Sequence, residues 1–163
     1  MRLFVAVCFT KPVKDMLCDV IAELKKTANG NFTRPENLHL TMAFIGETNE
    51  FEKAKTAIKK AANRRPFDIT VGGIGNFNDL FFVRSCESGA LKSLAADIRR
   101  ELATQGFDVD TKPFKAHITV ARRVCAMSMP QIKTGTEQMT AARLSLMCSQ
   151  RIEGRLLYSD MTY

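Results

Sequence analysis

Leu24 and His39 stand 15 residues apart, and so do Leu102 and His117. Each leucine closes an apolar stripe of helical period, and each histidine opens a short run of strand character. The first run reads His39-Leu40-Thr41-Met42-Ala43-Phe44 and the second His117-Ile118-Thr119-Val120-Ala121-Arg122. An amphipathic helix followed at equal distance by a His-x-Thr strand, twice in one chain, is an internal repeat. It implies two lobes that face each other. The chain has only two histidines, and both fall in this frame.

The rest of the pattern fits around that repeat. Residues 2–9 predict a strand. Pro12 opens a helix along which Val13, Met16, Leu17, Val20, Ile21 and Leu24 recur at helical spacing, and Asn29-Gly30 is expected to end it. A polar loop over 31–37 leads to a strand at 38–45. A second helix is expected over 50–62. Strands are expected at 67–75 and 80–83, joined by a turn at 76–79, with Gly72-Gly73 marking a bulge or close approach. A third helix covers 87–104, where Leu91, Leu94, Ala95, Ile98 and Leu102 share a face, and Gly106 stops it. A strand at 116–122 precedes a loop at 127–136. One long strand at 137–149 and a last one at 154–163 complete the chain. The order β-α-β-α-β-β-α-β-β-β lacks strict βαβ alternation, so an α+β fold with antiparallel or mixed pairing is expected.

Bulk properties narrow the partners. A chain of 163 residues with 45% hydrophobic and 25% charged content reads as one globular domain over 1–163. Its formal charge of +7 favours anionic partners, nucleotides and nucleic acid among them. The five cysteines, at 8, 18, 86, 125 and 148, are odd in number and show no metal-ligand spacing. A reducing, cytoplasmic setting is expected. The first residues are too short for a signal-peptide core and read as a strand. No apolar stretch reaches ~18 residues, so no membrane partner is expected.

On a strand, positions i and i+2 share a face. His39 therefore stands beside Thr41, and His117 beside Thr119. The hydroxyl donates to a phosphoryl oxygen, and the imidazole moves a proton. Two such couples on facing lobes would grip one phosphate from two sides. A neutral imidazole would take a proton from water, and a charged one would give a proton to the leaving oxygen. A metal site built on the two imidazoles finds no third ligand at a telling spacing, so neither metal nor cofactor is expected. No nucleotide-binding G-x-x-x-x-G-K-[ST] is present, and Gly72-Gly73-x-Gly75 reads as strand irregularity.

Both His-x-Thr runs with their flanks resemble the two-histidine phosphoesterase superfamily. Within it the chain is most similar to the RNA 2′,3′-cyclic phosphodiesterases, long called 2′-5′ RNA ligases. The likeness includes Met1-Arg2-Leu3-Phe4-Val5-Ala6-Val7 and Asn37-Leu38-His39-Leu40-Thr41-Met42-Ala43-Phe44-Ile45-Gly46. It continues through Lys112-Pro113-Phe114-Lys115-Ala116-His117-Ile118-Thr119-Val120-Ala121-Arg122, Leu144-Ser145-Leu146 and Gly154-Arg155-Leu156-Leu157-Tyr158.

The resemblance implies a bilobal α+β fold, with two antiparallel sheets facing a central cleft and helices outside. It implies metal-independent hydrolysis of RNA 2′,3′-cyclic phosphate ends to 2′-phosphomonoesters, with 2′-5′ ligation as a side activity. His39 and His117 would be the catalytic pair, with His117 as base and His39 as acid. Thr41, Thr119 and Arg122 would hold the phosphate. Arg34, Phe44 and Phe82 are candidates for RNA contact; Phe81 competes with Phe82 for that place. A monomer is expected. Two departures stand out. Ala116 replaces a proline usual before the second histidine, and residues 78–83 lack a tryptophan often found there. Two alternatives remain open: a phosphodiesterase acting on 2′-5′-linked oligonucleotides or a cyclic nucleotide, and an RNA-binding module without turnover.

Overall fold

The computed structural model describes residues 1–86, 89–126, 130–141 and 143–162. Nine strands and three helices are assigned among them. The strands are β1 (Arg2–Val7), β2 (Ala28–Phe32), β3 (Leu40–Glu47), β4 (Phe67–Phe77), β5 (Leu80–Ser85), β6 (His117–Ala126), β7 (Thr136–Ala141), β8 (Leu144–Ile152) and β9 (Arg155–Asp160). The helices are α1 (Lys11–Thr27), α2 (Phe51–Ala61) and α3 (Gly89–Thr104), with a 3-10 turn at Pro35–Asn37.

The strands form two antiparallel sheets. The first has the order β3-β1-β8-β9 and the second β2-β6-β5-β4-β7. The fold is therefore α+β, as the element order predicts. Each sheet turns one face toward the helices. On β1 the alternation sends Leu3, Val5 and Val7 into the main core, while Phe4 and Ala6 join Met147 in a separate small cluster on the other face. That second face carries the site described below.

The helices are exchanged between the sheets. α1 leads toward the His39 strand of the first sheet, yet it packs against β2, β6 and β7 of the second. α3 leads toward the His117 strand of the second sheet, yet it packs against β3 of the first and against α2. One continuous core results, which runs from Leu17 of α1 to Ile98 of α3, both fully buried. The two lobes are thus not the two halves of the sequence.

Three expectations are corrected. Residues 28–32 form β2 rather than a helix end and a polar loop. The segment Ala-Asn-Gly-Asn-Phe has little strand character of its own, and backbone pairing with β6 decides its conformation. Gly30 allows that pairing, since a Cβ there would lie 3.1 Å from the carbonyl oxygen of Arg122. Second, 137–149 is two strands. β7 pairs with β4 in the second sheet, and β8 pairs with β1 in the first. Alternation shows a strand but not which sheet receives it. Third, β4 reaches Phe77 and β6 reaches Ala126, both past their expected ends. The expected start of the third helix and the first part of the 127–136 loop lie outside the described residues.

Candidate active site

His39 stands immediately before β3, and His117 is the first residue of β6. Both rings are anchored alike. Nδ1 of His39 lies 2.6 Å from the carbonyl oxygen of Asn37, and Nδ1 of His117 lies 2.8 Å from that of Lys115. A carbonyl only accepts, so Nδ1 carries the hydrogen in each ring. Nε2 is then the atom free to gain or lose a proton. For His39 that atom lies 2.9 Å from Oγ1 of Thr41, whose hydroxyl donates to the neutral ring.

Aromatic side chains hold each imidazole. Phe4 packs against His39 with centroids 4.8 Å apart, and Tyr158 meets it edge-on at 5.0 Å. Phe82 and Phe77 meet His117 edge-on at 5.7 and 5.8 Å. Such contacts fix ring orientation and exclude water from one side. Phe4, Phe77 and Tyr158 were not singled out from the sequence. The alternation of β1 is the signal for Phe4, since it leaves the face used by Leu3 and Val5. Tyr158 and Phe77 reach their histidines through pairing of distant strands, which local pattern does not report.

The Asn37 side chain holds the His39 loop to β9. Its Nδ2 donates to the carbonyl of Leu156 at 2.9 Å, and its Oδ1 accepts from the Tyr158 N–H at 3.2 Å. Asn37 is itself buried. Replacing it with alanine strips partners from two backbone groups, and a loss of about 1–3 kcal/mol is expected. Urea unfolding checks this; an unchanged midpoint would contradict the bridging role.

The two lobes meet electrostatically at His39. Burial is the main cause that lowers its pKa from the ordinary imidazole value. The bond to Asn37 opposes that shift, and the charges of Arg122 and His117 add to it. Arg122 therefore lies within reach of the opposite lobe, and it acts on Tyr158 as well. The backbone turns just past Arg122. From Arg122 to Cys125 β6 takes three steps while β2 takes two, from Asn31 to Asn29, and Arg123 sits at φ 53°.

The remaining sequence candidates separate. Thr119 lies opposite Phe82 in the β5–β6 ladder. Phe82 packs on His117 and Phe77, whereas Phe81 belongs to the main core. Phe44 is 54% exposed and its ring lies 6.3 Å from Phe4, on the His39 face. Arg34 is exposed before the 3-10 turn, with Glu36 4.0 Å away, and is not among the charges acting on His39. Among the described residues no three His, Cys, Asp or Glu side chains come together as a metal site requires.

The model of the 2′-5′ RNA ligase superfamily matches residues 13–150. The chain belongs to that superfamily. Among curated relatives, an RNA 2′,3′-cyclic phosphodiesterase of Archaeoglobus fulgidus is 34% identical over 75% of this chain and 72% of its own length. One of Thermotoga maritima is 31% identical over 75% of this chain and 70% of its own. Among solved structures, E. coli LigT complexed with NADP+ is 25% identical, with a TM-score of 0.80 over 98% of this chain and 94% of that one.

Proposed function

We propose that this chain, as one bilobal domain over 1–163, hydrolyses RNA 2′,3′-cyclic phosphate ends to 2′-phosphomonoesters. The observation that carries this is the paired anchoring: each imidazole has Nδ1 committed to a backbone carbonyl, leaving Nε2 for proton transfer, and the charge of one ring is felt at the other. The names of the curated relatives at 31–34% identity favour the same substrate.

In the reaction, Nε2 of neutral His117 takes a proton from water as its oxygen attacks phosphorus. The P–O3′ bond breaks, and the 3′ oxygen takes the proton of charged His39. The 2′ oxygen keeps the phosphate. Thr41 and Thr119 donate to phosphoryl oxygens, and Arg122 balances the charge that gathers there. Burial makes His39 a ready proton donor. The bound anion offsets Arg122 and restores the proton to the ring before the leaving oxygen needs it. The two imidazoles supply both proton transfers, so no step is assigned to a metal. A 5′-hydroxyl attacking in place of water yields a 2′-5′ linkage by the same path.

No helix among the described residues is long and apolar enough to cross a membrane. A monomer in the reducing cytoplasm suits the free state of the five cysteines. The test is an RNA ending in a 2′,3′-cyclic phosphate, incubated with EDTA and followed by end-group analysis. The expected product is a 2′-phosphate. Turnover confined to 2′-5′-linked oligonucleotides, or binding with no turnover, overturns the assignment.

A further inference from the structure

Arg84 is directly opposite His117 in the β5–β6 ladder. Directly opposed residues on antiparallel strands send their side chains to the same face, roughly 5 Å apart at the backbone. Glycines of β4 confirm where this one lies. A Cβ on Gly75 would fall 2.7 Å from the Phe82 ring and 3.2 Å from a guanidinium nitrogen of Arg84. Phe82 and Arg84 therefore cross β4 on one face, and Phe82 is the ring that packs on His117. Gly73 supports the same guanidinium, with the nearest nitrogen 3.9 Å from its would-be Cβ. A side chain at Gly75 would displace both.

The result is an exposed cation on a bare floor beside His117. No carboxylate among the described residues pairs with it. It lines an open groove of about 490 Å³ together with Thr70, Gly72, Ser85, Cys86 and Thr136. The threonine hydroxyls and the guanidinium suit an oxyanion, and the planar fork of arginine fits a phosphodiester.

We propose that this groove binds an internucleotide phosphate of the RNA strand next to the reacting end, with Arg84 as its principal contact. This rests on the function proposed above and adds to it a preference for chains over single nucleotides. The cyclic phosphate itself sits between the histidines and is held by Arg122 and the threonines. Arg84 serves the diester on the 5′ side of the terminal nucleoside.

The experiment compares the wild-type protein with Arg84→Gln on three substrates. These are a mononucleoside 2′,3′-cyclic phosphate, a dinucleotide with the same cyclic end, and that dinucleotide with a neutral methylphosphonate link. Arg84→Gln should raise KM for the ordinary dinucleotide about tenfold, with kcat within about twofold, because one charge-assisted contact is lost. The other two substrates should move less than about twofold between the proteins. The salt dependence of KM for the ordinary dinucleotide should lose about one unit of slope. Arg84→Lys should recover part of the loss, since it keeps the charge but not the fork. An equal change on all three substrates, or no change on the ordinary dinucleotide, overturns the subsite and leaves the proposed activity standing. Failure of the wild-type protein to turn over any cyclic end overturns the proposed activity, and the subsite with it.

Discussion

Turnover of an RNA cyclic phosphate end falls by at least about 100-fold in His39→Ala and in His117→Ala, because each variant loses one of two proton transfers. The two losses do not add. Proton donation and water activation belong to one concerted displacement, so the double variant sits close to the worse single one. The two sites differ in what else the substitution disturbs. His39 packs against both Phe4 and Tyr158, which also touch each other, so alanine leaves a void beside the two rings. His39→Gln keeps much of the volume and separates chemistry from packing. Single-turnover rates measured beside thermal unfolding make the distinction. A folded variant of either histidine with a near-normal rate ends the paired-imidazole mechanism.

A bell-shaped pH profile is the second large effect. Away from the optimum the rate changes about tenfold per pH unit on each limb, since one imidazole must be neutral and the other charged. The sign of one limb follows from His39. As the acid it must be protonated, so the rate falls as pH rises through its pKa. Burial and the charge of Arg122 lower that pKa in the free protein. The limb of kcat/KM that His39 governs, which reports the free protein, therefore lies below the ordinary imidazole range. A bound phosphodiester brings a negative charge to the same place, and the limb of kcat moves to higher pH. The fitted values belong to the pair rather than to either ring. A chemical step flat from roughly pH 5 to pH 9 contradicts the mechanism. Coincident His39 limbs contradict the coupling between His39 and the anion.

The residues at the centre of the candidate site are legible in the sequence because local periodicity places them. Period two puts Thr41 beside His39 and Thr119 beside His117 without knowledge of the partner strands. The surroundings are different. Phe4, Phe77 and Tyr158 reach the histidines through strand pairings that join residues far apart in the chain. Phe81 and Phe82 are adjacent and chemically identical, and only the register of β5 tells core from cleft. β2 has no local signal because its pairing is a matter of backbone and a glycine, not of side-chain preference. The glycine run at 72–75 read as an irregularity; in the fold it is the floor on which Phe82 and Arg84 lie. Ala116, which departs from the proline that the resemblance implies, is buried directly before His117, and the anchoring carbonyl belongs to Lys115 one residue earlier. The hydrogen bond that fixes the second ring is thus independent of that replacement.

The exchange of α1 and α3 between the sheets has a practical outcome for anyone dissecting the molecule. Cutting the polypeptide between α2 and β4 separates α1 from most of the sheet it supports, and strips β3 of the α3 that backs it. Neither fragment carries a complete foundation, so the pieces should fold on mixing and not alone. The spacing of the two histidine-bearing strands is accordingly set by an interior that both halves of the chain build together.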